Sequence, residues 1–231
     1  MLEFVGTGFR LNWIDFQNRK PYLSIPHKIP GRVQLENYDI GGQHISYFDN
    51  TAYNTFGHYR SDFVDILFSQ DTDSKFAVYG TNGEWLEYTC NILPGIYTVI
   101  VRNSCPITSQ ELTLSLEGQT LATFELSVTG GWYNWQNTAV AEVSLPGGSH
   151  VLRFTLSGSG TLLNFVDFIR HRNSADITQS GQVDLGDFAM IAGQWLGAPD
   201  TLPSADIAPL GGDGVVDLLD LLILAENWLA E

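Results

Sequence analysis

Oxygen-bearing side chains recur around a glycine near the end of this chain, at chemically specific intervals. Asp176, Thr178, Ser180, Asp184 and Asp187 fall at positions 1, 3, 5, 9 and 12 of a loop with Gly181 at 6 and the Gln182 carbonyl at 7. A calcium ion takes about six to eight oxygens, and a twelve-residue loop delivers them in this order, with glycine at the sharp turn. The hydroxyls at 3 and 5 carry no charge, so this loop is expected to hold its ion weakly. A second copy places Asp213, Gly214, Asp217 and Asp220 at positions 5, 6, 9 and 12, and Asp206 takes position 1 if segment 208–212 carries three inserted residues. In both copies position 12 is Asp rather than Glu, and a Trp (Trp195, Trp228) follows eight residues later. No other grouping reads as reactive. Glu84 and Glu87 lie three apart in a strand pattern and so on opposite faces, where they cannot work as a pair on one bond. No Cys–His, Ser–His or His-x-x-His grouping stands out, so no catalytic residue is expected.

The charge balance narrows the partners. Lys and Arg number 11 against 26 Asp and Glu, a net charge of -15. That leaves no basic footprint for nucleic acid or for an anionic membrane. No apolar run approaches the roughly 18 residues of a membrane span. The start, Met1-Leu2-Glu3-Phe4, shows neither the basic nor the apolar region of a secretion signal. Cys90 and Cys105 flank an apparent hairpin turning at Pro94-Gly95. Antiparallel pairing there separates them by about six residues, roughly 20 Å along the sheet, beyond bridging distance. Both are read as unpaired small hydrophobes.

The elements that must position these groups follow from periodicity. Segments 32–36, 84–88, 96–101, 111–116, 139–143, 150–154 and 164–169 alternate apolar and polar residues, with turn signals such as Glu117-Gly118 and Pro146-Gly147-Gly148 between them. The spacing predicts a mainly β chain: an antiparallel β-sandwich of the jelly-roll kind, then a small all-α module of two loop–helix units. Those helices are expected over 188–196 and 221–229. Residues 173–231 contain no Lys or Arg, and the change at Arg170-His171-Arg172-Asn173 marks a boundary. Residues 6–16 match 158–168 without gaps, and the second copy closes the sandwich. The first copy is therefore expected to close a preceding sandwich, making the chain the C-terminal part of a longer protein, unless residues 1–16 are simply an extra edge strand. The domains are 1–20 (remnant strand and linker), 21–172 (sandwich) and 173–231 (loop–helix module).

Several motifs stand in sequence along the middle stretch. They are Ile29-Pro30-Gly31-Arg32-Val33-Gln34-Leu35-Glu36-Asn37-Tyr38-Asp39, Asn54-Thr55-Phe56-Gly57-His58-Tyr59-Arg60, Gly83-Glu84-Trp85-Leu86-Glu87-Tyr88-Thr89, Thr129-Gly130-Gly131-Trp132-Tyr133-Asn134-Trp135 and Leu163-Asn164-Phe165-Val166-Asp167-Phe168-Ile169. Over roughly residues 26–170 the chain resembles a family 6 carbohydrate-binding module. The resemblance implies a non-catalytic protein that holds sugar at the loop end of the sandwich. There a Tyr and a Trp stack on the apolar C–H face of a pyranose while an Asn lies nearby. Tyr59 matches the Tyr and Trp132 the Trp. Trp132 follows two glycines and is expected on a loop, whereas Trp135 and Trp85 are expected in the core. Many members read Asn-Leu-Asn-Trp in the closing strand where this chain has Leu162-Leu163-Asn164-Phe165. Asn164 is thus the remaining amide, either a sugar ligand or a structural residue. Members also carry a structural calcium near the first and last strands. The matching oxygens are Gln34, Glu36 and Asp167, which a buried hydrogen-bond cluster would equally explain.

Residues 175–231, with two loop–helix units in tandem and Asp at position 12, resemble a type I dockerin. That resemblance implies calcium-dependent folding and docking onto a cohesin partner, unless the loops only cap a helical pair. The reading as a whole is an extracellular, non-catalytic protein that binds plant or algal polysaccharide and carries a calcium-dependent tail. The alternatives are a structural spacer of a cell-surface protein, or an accessory fragment of a glycoside hydrolase.

Overall fold

The computed structural model describes residues 18–171, 175–197, 203–208 and 212–228. The first copy of the short repeat, residues 6–16, lies outside the described residues. In chain order the strands are β1 (His27–Ile29), β2 (Gly31–Gln34), β3 (Tyr47–Phe48), β4 (Ile66–Phe68), β5 (Phe76–Gly80) and β6 (Trp85–Ile92). Then come β7 (Gly95–Ser104), β8 (Gln110–Leu116), β9 (Gln119–Leu126), β10 (Gln136–Leu145), β11 (Gly148–Ser157) and β12 (Thr161–Arg170), followed by α1 (Leu185–Gln194) and α2 (Leu218–Glu226).

The strands make two sheets. One runs β1-β6-β11-β8-β9 with β3 also on β6, and the other runs β10-β7-β12-β5-β4 with β2 also on β12. Period-two alternation turns Leu86, Tyr88, Cys90 and Ile92 of β6 and Leu152, Phe154 and Leu156 of β11 inward, against Tyr97, Val99 and Val101 of β7 and Val166 and Phe168 of β12. The buried Tyr88 hydroxyl donates to the Leu35 carbonyl at 2.7 Å, so the one polar atom of that ring is satisfied.

Every alternating segment predicted from sequence overlaps a strand. Two expectations about their arrangement do not hold. Pro94-Gly95 closes no hairpin: β6 pairs with β1, β3 and β11 in one sheet, while β7 pairs with β10 and β12 in the other. The chain crosses between layers there because each strand has one apolar face, and opposing the sheets buries both faces together. Cys90 and Cys105 are nevertheless free and buried. Nor is the sandwich wholly antiparallel, since β1 runs parallel to β6 with His27 opposite Cys90 and Ile29 opposite Ile92. Arg19 and Lys20, assigned to a linker, are fastened to the sandwich. Lys20 and Ile40 exchange backbone hydrogen bonds of 2.8 and 2.7 Å, and Arg19 pairs with Glu87 and Asp39.

The C-terminal unit has its own small core of Ala175, Ile177, Val183, Ile191, Ala205, Val216 and Leu224. Both helices begin three residues earlier than the apolar pattern alone predicts, at Leu185 and Leu218. Asp184 and Asp217 are their N-caps, and Asp187 and Asp220 close capping boxes at N3. Among the described residues no helix is long and apolar enough to cross a membrane.

Candidate functional site

Trp132 stands on the turn between β9 and β10 and is 47% exposed, on a loop as its two glycines predict. A polar knot beneath fixes that turn. Ser104 Oγ donates to the Gly131 carbonyl at 2.8 Å, Thr129 N donates to the Cys105 carbonyl at 2.7 Å, and Cys105 N donates back to Thr129 Oγ1 at 3.0 Å. The Trp132 indole touches Tyr79 on β5, with ring centroids 5.9 Å apart at 54°. Tyr79 in turn meets Phe56 edge-on at 6.0 Å.

Tyr59 lies on the loop before β4, with a left-handed backbone (φ 64°). One side chain laces that loop: Asn54 Nδ2 donates to the His58 and Arg60 carbonyls, while its Oδ1 accepts from the amides of Phe56, Gly57 and Ile66. The Tyr59 ring lies 4.6 Å from Phe76 and 5.8 Å from Tyr22, and its hydroxyl donates to Asn37 Oδ1 at 2.6 Å. Among the described residues Tyr59 and Trp132 share no ring contact. They belong to two neighbouring aromatic groups, Tyr22–Tyr59–Phe76 and Phe56–Tyr79–Trp132. Tyr79 and Phe56 were missed from sequence, because Tyr79 reads as one more residue of a strand and only the fold sets it beside Trp132.

Asn164 takes up a buried position, and two core expectations need correction. Asn164 is fully buried and donates to Asp71 Oδ2 at 2.8 Å, next to the Arg102–Asp71 ion pair. Its Oδ1 is buried without a hydrogen-bond partner. Trp85 is only partly buried, on the outer face of β6, with the Arg153 guanidinium 3.9 Å above its ring. Trp135 is likewise partly buried, and its Nε1 donates to the Ser69 carbonyl at 2.7 Å.

The oxygen sets divide. Asp167 accepts from Arg32 Nε and Nη2 at 2.7 and 2.8 Å. Gln34 Oε1 and Glu36 Oε2 are buried without a hydrogen-bond partner, and burial pushes the Glu36 carboxyl up to about 7. Two orphaned oxygens of this kind suit a hard cation. In the tail, both loops build one network. Asp176 accepts from Ser180 N and Gly181 N at 2.9 and 3.0 Å, and Asp206 accepts from Asp213 N and Gly214 N at 3.0 and 2.8 Å. Asp206 thus occupies the same place as Asp176 despite the longer loop. Asp187 accepts from Thr178 N and Asp184 N, and Asp220 from Ile207 N, Ala208 N and Asp217 N. The Thr178 and Ser180 hydroxyls bond to Asp187 and the Gln182 carbonyl, so the oxygens assigned to the first loop bond one another. Asp206 Oδ1 and Oδ2 accept one amide each and keep a further lone pair, whereas Asp187 Oδ1 and Asp220 Oδ1 each accept two hydrogen bonds. Among the described residues no three His, Cys, Asp or Glu side chains converge to hold a metal ion.

Residues 57–170, from the Tyr59 loop to the end of β12, match the family model described as carbohydrate binding module (family 6). Those residues form a family 6 carbohydrate-binding module. The module is non-catalytic, and carbohydrate binding is its function. Similar solved structures include a β-1,3-glucan binding CBM6 from Bacillus halodurans, 17% identical, with 63% of this chain and 99% of that chain covered and a TM-score of 0.49. CsCBM6-3 from Clostridium stercorarium, in complex with cellobiose, is 16% identical over 63% of this chain and 98% of its own (TM-score 0.47). CBM6cm-2 from Cellvibrio mixtus lichenase 5A, in complex with cellotriose, is 21% identical over 62% of this chain and 98% of its own (TM-score 0.48). No curated protein matches the chain.

Proposed function

We propose that the module binds a plant or algal polysaccharide through Trp132 and Tyr59, and that the C-terminal loops take calcium. The observation that carries the first part is the half-exposed Trp132 on a turn fixed from below, beside further aromatic rings, in a carbohydrate-binding module. Such rings exposed together are unfavourable in water. A pyranose covers them with C–H groups while its hydroxyls stay solvated. The test is native electrophoresis of the full chain in gels containing xylan, β-glucan, agarose or laminarin. Retardation by one polymer, abolished in Trp132→Ala and weakened in Tyr59→Ala, is the expected result. A folded chain that no polymer retards would leave the sandwich as a structural spacer.

For the tail, the support is the repeated network: the same carboxylates take the same amides in both loops. Calcium would draw on Asp176, Asp184 and Asp187 in the first loop and Asp206, Asp213, Asp217 and Asp220 in the second, with Gln34 and Glu36 as a separate structural pair. The exposed Phe188, Leu218, Leu219 and Leu222 of the helices suit docking onto a cohesin-like partner. In this reading the protein works outside the cell as part of a larger carbohydrate-active protein. Calorimetric titration with CaCl2 tests the metal, and the absence of any calcium heat would remove this half.

A further inference from the structure

From residue 173 onward the chain carries eight Asp and two Glu but no Lys or Arg, so a fixed positive charge in the tail must come from outside it. Arg170, at the end of β12, brings one. Its Nη2 lies 3.5 Å from Asp176 Oδ2, and among the described residues no other cation pairs with a tail carboxylate. The guanidinium is held in place, because Nε donates to the Pro94 carbonyl at 2.9 Å. Two glycines make room for it. A Cβ on Gly95 would meet Arg170 Nε at 2.8 Å, and one on Gly181, position 6 of the first loop, would meet Nη2 at 3.2 Å.

The two loops therefore lie in different fields. In the first, Arg170 and the Gly181 amide both sit on Asp176 Oδ2, while Oδ1 takes the Ser180 amide and keeps a lone pair. A calcium ion would share that carboxylate with Arg170, and the two would act on one another through charge. In the second, Asp206 accepts the Asp213 and Gly214 amides, and among the described residues no cation pairs with it. The loops also differ in their own charge: Asp176, Asp184 and Asp187 against Asp206, Asp213, Asp217 and Asp220. Ligand charge tunes the affinity of calcium loops over orders of magnitude. We infer that Arg170 sets the calcium affinity of the first loop from within the sandwich. It balances Asp176 when calcium is scarce, and it opposes the divalent ion as that ion arrives. The inference rests on the proposed calcium-binding role of the loops. The second loop then loads at lower calcium, while the first stays seated on the sandwich by its own cation and loads last.

The experiment titrates the 15N-labelled full chain with CaCl2 and follows the Gly181 and Gly214 amides by NMR. Each donates to the first carboxylate of its own loop, so each reports its own loop. In the wild type the Gly214 signal is expected to shift at lower calcium than that of Gly181. Arg170→Gln lowers the Gly181 midpoint by about three- to tenfold and leaves that of Gly214 unchanged. Arg170→Lys keeps the charge and the wild-type midpoint. Ser180→Asp gives the first loop a fourth carboxylate without touching Arg170, and reads the same effect should Arg170→Gln fail to fold. Its Gly181 midpoint stays above that of Gly214, because the cation remains. Gly181 shifting first in the wild type, an unchanged or raised Gly181 midpoint in Arg170→Gln, or coincident midpoints in Ser180→Asp would overturn the role of Arg170 while calcium binding stands. A midpoint in Arg170→Lys that follows Arg170→Gln would overturn charge as the cause. If neither glycine responds to calcium in the wild type, the calcium reading fails and takes this inference with it.

Discussion

Asp49 shows how the site end of the sandwich is tuned by single residues. Its side chain accepts from both the amide and the hydroxyl of Thr51 at 2.7 Å, yet burial, aided by Glu84 and Asp65, pushes its carboxyl up to about 6. The folded state therefore keeps a proton that the unfolded chain, near 3.8, has already lost. Stability from this group is present below pH 3.8 and is lost as pH rises through about 6. Asp49→Asn keeps the acceptor for Thr51 and removes the ionisation. Urea unfolding from pH 4 to 7 is expected to show the wild type losing stability relative to the variant as pH rises; parallel profiles would refute this. At this scale sequence was a partial guide. The residue types at Tyr59 and Trp132 pointed to stacking, but the hydrogen bonds of Asn164 and Asp167 go to partners remote in sequence, Asp71 and Arg32.

Among the elements, legibility followed length only in part. β6, β7, β8, β10, β11 and β12 were found, and β1, β3 and β4 are only two or three residues long and carry no period to detect, but β5 and the eight-residue β9 were missed as well. The helices were found three residues short, because an apolar stripe marks the buried face of a helix and the capping residues lie before it. Asp217 is such a cap, accepting from Leu219 N at 2.8 Å, with Asp220 returning the bond to Asp217 N. In EDTA, so that no metal contributes, Asp217→Ala is expected to destabilise the tail by about 1 kcal/mol. Far-UV circular dichroism on heating reads this directly, and an unshifted helical transition would show that the box is not holding α2.

For the molecule as a whole, one joint ties the sandwich to the first loop. Arg170, the last residue of β12, donates through Nε to the Pro94 carbonyl at 2.9 Å and through Nη2 to Asp176 at 3.5 Å. Gly181 sits so close that a Cβ would lie 3.1 Å from Pro94 Cγ and 3.2 Å from the Arg170 guanidinium. The turn that failed to make a hairpin thus serves as the seat of the tail. Arg170→Ala leaves the buried Asp176 carboxylate without that cation and is expected to destabilise the tail by about 1–3 kcal/mol. Differential scanning calorimetry in EDTA should show the tail transition falling further than that of the sandwich. Equal shifts, or none, would mean the joint does not couple the two.

Sequence by itself determined what is local here: alternating strands, two loops with oxygens at fixed intervals, an aromatic residue after paired glycines, and an acidic chain without a basic surface. These are set by neighbours a few residues away, where periodicity, capping and turn chemistry act. Only the tertiary structure decided which sheet each strand joined, that β1 runs parallel, and that Tyr79 rather than Tyr59 touches Trp132. Those outcomes depend on faces meeting across the core and on side chains far apart in the chain. Short-range pattern carries no term for such contacts.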